Sequence, residues 1–389
     1  MVGMPTLADV LDVGDPTAHV ESPVRYRYLL TDLLTGLVLS EARTLTLSSY
    51  SRRLADTADA SATLEVSAEL SGDPVAATEP RRTALWIIRN EVVVWGGIIW
   101  TRKYTSETET FELGASTFES YLARRRIRST FNYLQADQHT ILWDLFRRAA
   151  LVAYGNIGIQ IGSAAPAPSG VLRDRTYYWY ERATYLERIQ QLAQVIGGPD
   201  FTLDPGWLAS GAPAVTLHIG TPLGAPSGVQ IIEYPGEVRS YTWPDDGGDS
   251  ANFWSAIGDA DPAVEDGPPL IRDASMPSEW AAGVPLLEDV SSHDGVIIAA
   301  TLTDYAKANV QAASGNRVVP EVTLRLPPDA TTLPGMGDTL QLRVTDPFRF
   351  PAQPSNGAPG LAANVRVLGW TVNVGSDGET ITLELGEAF

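Results

Sequence analysis

The chain has 389 residues, no cysteine, 47 Asp and Glu against 28 Lys and Arg, and a formal net charge of −19. That length exceeds one ordinary hydrophobic core, the charge opposes tight binding to a phosphate backbone, and the missing thiols exclude disulfides, thiolate catalysis and Cys-ligated zinc. With 34 Gly, 27 Pro and four Met, the composition favours turns and short strands over long helical bundles, a mainly β class.

The start, MVGMPTLADVLDVGDP, has no basic stretch leading into an apolar one, and nowhere do eighteen apolar residues run together. A soluble chain without a secretory leader or a membrane span is expected, with residues 1–20 as a flexible segment. Arg25 to Leu30 and Leu37 to Leu39 then read as a hairpin across turn-forming residues. Further alternating segments follow at Thr44 to Leu47, Ala62 to Val66, Ala84 to Ile88, Val92 to Tyr104 and Thr110 to Leu113, enough for a small barrel or sandwich over residues 21–120.

Residues 121–205 change texture. Asp137 is a helix cap before Ile141, Leu142, Leu145, Phe146 and Ala149, and a second apolar stripe runs through Tyr185, Leu186, Ile189, Leu192, Ala193 and Ile196 to a stop at Gly197-Gly198. This predicts a helical insert. Residues 206–312 read as a mixed α/β middle region, with strands near 214–219, 229–233, 238–243 and 252–257, a long Asp/Pro/Gly-rich excursion over 259–295 and a helix over 301–313. Some of these strands are open to assignment to the closing domain, residues 313–389, whose strands are expected at 321–326, 339–344, 365–374 and 380–385.

An internal repeat joins the two ends. Residues 97–114 align without a gap on 369–386, matching Gly97 with Gly369, Glu107 with Glu379, Thr108 with Thr380, Thr110 with Thr382 and Glu112-Leu113-Gly114 with Glu384-Leu385-Gly386. Upstream, Ala62 to Val66 resembles Glu321 to Leu326, and Thr83 to Arg89 resembles Thr339 to Val344. Unrelated hairpins also share Thr, Glu and Leu at alternate positions, but four strand segments in one order favour duplication. Glycine inside a strand marks a bulge, a bend or a close backbone approach, so Gly97 and Gly369 are expected at corners of two related barrels.

The segments YRYLLTDLLTGLVL, TLSSYSRRL, SATLEV, LWIIRNEVVVWGGII and FELGASTFESYLARRRI, with GMGDTLQLRV, VRVLGWTV and ITLELG near the C-terminus, resemble the baseplate or tail-tip hub proteins of tailed bacteriophages. The likeness is to minor tail proteins of siphophages that infect actinobacteria, and it covers the two ends and little of residues 200–300. It implies two tail-tube-like β-barrels flanking the helical and mixed middle. It further implies a homotrimer at the virion tail tip, assembled in the host cytoplasm, which joins the distal tail-tube protein to a central fibre or spike and lets DNA pass during ejection. Three subunits with two related barrels each present six similar faces to a hexameric tube.

Signals for chemistry are sparse. HExxH, GxSxG, Walker A and dinucleotide motifs are missing, and the four His are scattered. Asp245-Asp246-Gly247-Gly248-Asp249 has no EF-hand spacing and reads as a solvated turn, so neither a metal, a cofactor nor a catalytic residue is expected. Arg124, Arg125, Arg126 and Arg128 form a basic run in an acidic chain, either an intersubunit contact or a solvated face with internal ion pairs. Tyr177-Tyr178-Trp179-Tyr180 is the best exposed aromatic cluster for a glycan or a partner. The alternatives to a structural hub are a cell-wall glycan hydrolase, whose two carboxyls need only meet in space, and a polysaccharide-binding β-protein.

Overall fold

The structure, a computed structural model, describes residues 24–66, 73–195, 197–224, 230–260, 267–293, 296, 298–315, 320–354, 356–375 and 378–387. The expected flexible segment at 1–20 lies outside them. Two compact units form, one from Met1–Tyr241 with Glu321–Phe389 and one from Thr242–Pro320.

The first unit opens with β1 (Tyr26–Asp32), β2 (Val38–Glu41), β3 (Leu45–Arg53), β4 (Asp59–Glu65), a turn of helix α1 (Pro74–Ala77), β5 (Thr83–Arg89), β6 (Val92–Thr105) and β7 (Thr110–Thr117). It continues through α2 (Glu119–Leu122), β8 (Phe131–Asp137), α3 (Gln138–Ala150), β9 (Leu172–Tyr177), α4 (Tyr185–Ala193), β10 (Asp200–Trp207), β11 (Pro213–Gly220), β12 (Gln230–Tyr234) and β13 (Val238–Thr242). The second unit holds β14 (Phe253–Ala260), β15 (Pro269–Ser275), α5 (Pro277–Ala281), β16 (Glu288–Ser292) and α6 (Ala299–Ala313). The chain then returns to the first unit with β17 (Glu321–Arg325), β18 (Thr339–Val344), β19 (Leu361–Gly375) and β20 (Gly378–Glu387).

Both helices expected at 137–196 form where their caps dictate. The Asp137 carboxylate accepts from the His139 amide at the start of α3, and α4 begins on a capping box in which Thr184 and Glu187 satisfy each other's backbone donors. Their apolar stripes are buried. Ile141, Leu142, Leu145 and Phe146 pack with Leu186, Ile189 and Leu192, and together they cover Trp86, Ile88, Val93 and Ile98 on one face of the first strands. Each such side chain contributes about 1.5–3 kcal/mol on burial.

The molecule is mainly β, as composition indicates. Its largest sheet has 13 strands in the order β13-β17-β20-β19-β3-β4-β7-β6-β5-β1-β2, with β18 beside β19 and β12 beside β18. Strands from both ends of the chain therefore share one sheet, joined where β19 pairs antiparallel with β3. Among the described residues no sheet closes on itself by hydrogen bonds, which corrects the expectation of closed barrels. The strands of residues 230–242 join this sheet through β12–β18 and β13–β17.

Some elements were not legible. The helical insert also carries the antiparallel pair β8–β9 and strand β10, and the Asp/Pro/Gly-rich excursion carries β15, α5 and β16. β9 (LRDRTY) and β15 (PLIRDAS) put charged residues among few apolar ones, so neither shows the alternation of a half-buried strand.

Candidate functional site

The duplicated strands carry the clearest functional geometry. The first set runs in the order β4-β7-β6-β5 and the second in the order β17-β20-β19-β18, every pair antiparallel. The four segments paired by sequence thus occupy the same places in the two sets. Each set has a one-residue bulge on its longest strand: Trp100 is skipped between Ile99↔Ala115 and Thr101↔Gly114, and Leu368 is skipped between Val367↔Leu385 and Gly369↔Glu384.

Register separates the glycines that sequence had matched. Gly97 lies opposite Thr117, whereas Gly369 lies opposite Glu384. Counted from the bulges, the place of Gly97 is taken by Val365, and the place of Gly369 by Thr101. The two pairs differ in length. β6 pairs as far as Thr105↔Thr110, five residues past its bulge, and β19 as far as Gly375↔Gly378, seven past its own. Because side chains alternate every two residues, an even slip, four positions on β6 and β19 and two on β7 and β20, keeps the sequence match.

The glycines act locally through close approach. A Cβ on Gly97 would meet the Ser116 carbonyl oxygen at 2.5 Å and the Trp95 indole, and one on Gly96 would meet Trp86 Cε3 at 2.6 Å. The two glycines make room for two buried tryptophans, whose indoles donate to the Ser51 carbonyl (Trp95, 2.8 Å) and Thr31 Oγ1 (Trp86, 2.9 Å). Gly114 gives space to Thr101 Oγ1, Gly369 to the Glu384 side chain, and Gly386 to Leu368.

A buried polar latch, not singled out from the sequence, ties the sets together. Arg89 at the end of β5 is 1% exposed and pairs with Glu379 of β20 at 2.7 Å. It also donates to the Pro327 and Ala330 carbonyls, and Asn90 Nδ2 donates to the Pro328 carbonyl at 2.7 Å. The Tyr26 hydroxyl donates to Glu379 and lies 3.3 Å from that of Tyr50; burial first, then Tyr50 and Glu379, push the Tyr26 hydroxyl well above its ordinary range. Five strands separate β5 from β20 in the sheet order. In a flat sheet that is about 29 Å, so the sheet rolls up and side chains bridge its gap. The lone arginine ending the apolar TALWIIR was the available signal.

The basic run divides. Arg125 donates to the Ala149 carbonyl at 3.1 Å and stacks on Tyr121, and Arg126 donates to the Arg182 carbonyl at 2.8 Å. Arg124 lies over the Trp100 ring, and Arg124, Arg126 and Arg128 are exposed. Of the aromatic cluster, Tyr177 is buried, while Tyr178 and Tyr180 stack at 5.0 Å and Trp179 lies under Arg182, all three exposed.

A cleft of about 150 Å³ between the β1–β2 turn, Trp86, Phe118 and Ile157 has one acidic residue in its wall, Asp32. Asp32 accepts from the Leu34 and Thr35 amides and pairs with Arg82; the Thr35 amide, chiefly, holds its carboxyl below the usual range. Two-carboxyl glycosidase chemistry therefore has one candidate there, already engaged. His139 has both ring nitrogens in hydrogen bonds, to the Ala167 carbonyl and Thr221 Oγ1. In the acidic turn, Asp246 Oδ1 accepts from the Gly248 amide; among the described residues no group of three His, Asp or Glu is arranged to hold a metal ion. Nor is any described helix long and apolar enough to cross a membrane.

No protein-family model and no curated protein sequence matches the chain. Solved structures do. The 43 kDa tail protein of prophage MuSo2 from Shewanella oneidensis superposes with a TM-score of 0.57 over 93% of this chain and 98% of its own, at 12% identity. The chain has a phage tail-protein fold. The tail protein of Neisseria meningitidis MC58 gives 0.54 at 13% identity, covering 92% and 96%. A prophage tail protein of Listeria monocytogenes EGD-e gives 0.54 at 10% identity, covering 92% and 94%. The tail-protein likeness extends across the middle region, where the sequence segments were silent.

Proposed function

We propose that the chain is a structural, non-enzymatic virion protein of a phage tail: a homotrimeric tail-tip or baseplate hub, of the minor tail protein kind found in siphophages of actinobacteria. It joins the distal tail tube to a central fibre or spike and lines the passage of DNA. The single observation that carries this reading is the doubled strand order, β4-β7-β6-β5 and β17-β20-β19-β18, inside a tail-protein fold. In it, residues 21–120 and 313–389 supply the two tube-like units, and three subunits supply six. The net charge of −19 suits a channel wall that repels phosphates.

Sedimentation and electron microscopy of the purified protein test it: a trimer or three-fold ring without wall-clearing activity is expected, and a stable monomer that clears cell walls overturns it. Within the trimer, Arg124, Arg126 and Arg128 contact an acidic face of the neighbouring subunit. Reversing all three to Glu is expected to abolish the trimer while the monomer stays folded, as read by circular dichroism.

A further inference from the structure

The second unit carries more than its share of the acidity. Residues 242–320 hold 13 Asp and Glu but three Lys and Arg, a net of −10 in a chain of −19; the remaining residues hold 34 and 25. The unit is a three-stranded sheet in the order β15-β14-β16, with β14 antiparallel to β15 and parallel to β16. Helix α6 covers one face, where Leu302 and Ala306 pack on Ala256 with Leu270, Ala274 and Tyr305 beside them.

Alternation sends the other residues to the opposite face. There Ile257 stands beside Ile271, Ser255 beside Asp273 and Val290, and the Ser255 hydroxyl donates to Asp273 Oδ1 at 2.8 Å. Ile271 is 46% exposed and Val290 55%, and Glu288 shares their face. Ile257 and Ile271, with Val290 in the next row, form an apolar patch beside the Asp273 and Glu288 carboxylates, an apolar centre with a charged rim.

We infer that this open sheet face docks a basic protein, one that presents an apolar anchor ringed by lysine or arginine. Charge selects the occupant. A second copy of the chain would bring acid to acid, and a nucleic acid would bring phosphate to carboxylate; a cationic protein surface gains on approach and is steered by the field of the whole unit. The inference rests on the tail-protein reading for where that partner is found, namely in the same particle.

The test is zero-length carbodiimide cross-linking of assembled particles, which joins carboxylates to lysine amines, followed by peptide mass spectrometry. Asp273 and Glu288 are expected to be joined to lysines of a different tail protein. The double substitution Ile271→Arg with Val290→Arg is expected to reduce those links at least about ten-fold, because it sets like charge against the partner's rim. Both positions are exposed, and circular dichroism checks that the variant folds. Links to a second copy of this chain overturn the inference, as does labelling of both carboxyls by glycine ethyl ester to the same extent in the particle as in the free protein. Absence of the chain from the particle overturns the tail reading itself and this inference with it, an outcome distinct from a particle that contains the chain with its face uncovered.

Discussion

The strand sets β4-β7-β6-β5 and β17-β20-β19-β18 reach one topology by different side-chain solutions. In the first, Gly96 and Gly97 admit two tryptophan indoles, and Thr101 faces Gly114 just past the bulge. In the second, Val365 stands where Gly97 would, and Gly369 past the bulge faces Glu384, whose carboxylate reaches Arg53 of β3 at 2.7 Å. What the two share is the neighbour order and the bulge, not the glycine. A bulge is set by backbone pairing, so it tolerates different residues around it as long as one of the facing pair leaves room.

The latch between the sets gives the strongest way to break this arrangement. Arg89→Met leaves Glu379 buried with the Tyr26 hydroxyl but no cation beside it, and a loss of about 3–5 kcal/mol in urea unfolding is expected, whereas Arg89→Met with Glu379→Met recovers most of it. If the single substitution were neutral, the two sets would be held by the β3–β19 pairing alone.

A second test uses α2, which follows the first set. Glu119 of α2 is 4% exposed, its Oε2 has no hydrogen-bond partner among the described residues, and burial pushes its carboxyl above the ordinary value. The native state then binds the proton more tightly than the unfolded chain, so stability falls as pH rises through the native pKa. Glu119→Gln removes that slope. The variant is expected to be more stable than the parent at neutral pH, because an amide has no charge to desolvate, and little different below the ordinary carboxyl range. Parallel pH profiles of the two proteins would refute it.

The glycines sharpen the comparison further. Gly97→Ala forces a Cβ against the Ser116 carbonyl, backbone that does not yield, and is expected to cost about 1–3 kcal/mol. Gly369→Ala meets the Arg52 carbonyl oxygen and the Arg53 side chain at 3.0 Å, half an ångström farther than the Ser116 carbonyl at Gly97, and is expected to cost less than Gly97→Ala, about 1 kcal/mol. Equal costs would restore the equivalence that register denies. Smallest of all, Arg53→Ala removes an ion pair whose arginine is half exposed, and a change within about 0.5 kcal/mol is expected.

Legibility followed physical cause. The helices α3 and α4 were readable because 3.6-residue stripes and the Asp137 cap are local signals; the Thr184 capping box, equally local, was not read from the sequence. The paired segments were readable because alternation is local too. The registration of Gly97 with Gly369 was not, since a period of two fits several even offsets equally well and only hydrogen bonds choose among them. β15 and β16 were hidden because their apolar residues do not alternate with polar ones: Arg272, Asp289 and Ser291 share the face of Ala256, while Ile271 and Val290 stand on the open face.

Of the basic run, sequence supplied the cluster but not its division: Arg125 and Arg126 donate to carbonyls more than twenty residues away. Composition and periodicity by themselves determined a mainly β, acidic chain with a duplicated strand order and two capped helices, because these depend on residue type and near-neighbour spacing. Only the tertiary structure decided that both ends enter one rolled sheet, that Arg89 and Glu379 bridge its gap, and that the middle unit leaves an acidic sheet face open. Those depend on which distant residues meet, and neither charge counts nor periods carry that information.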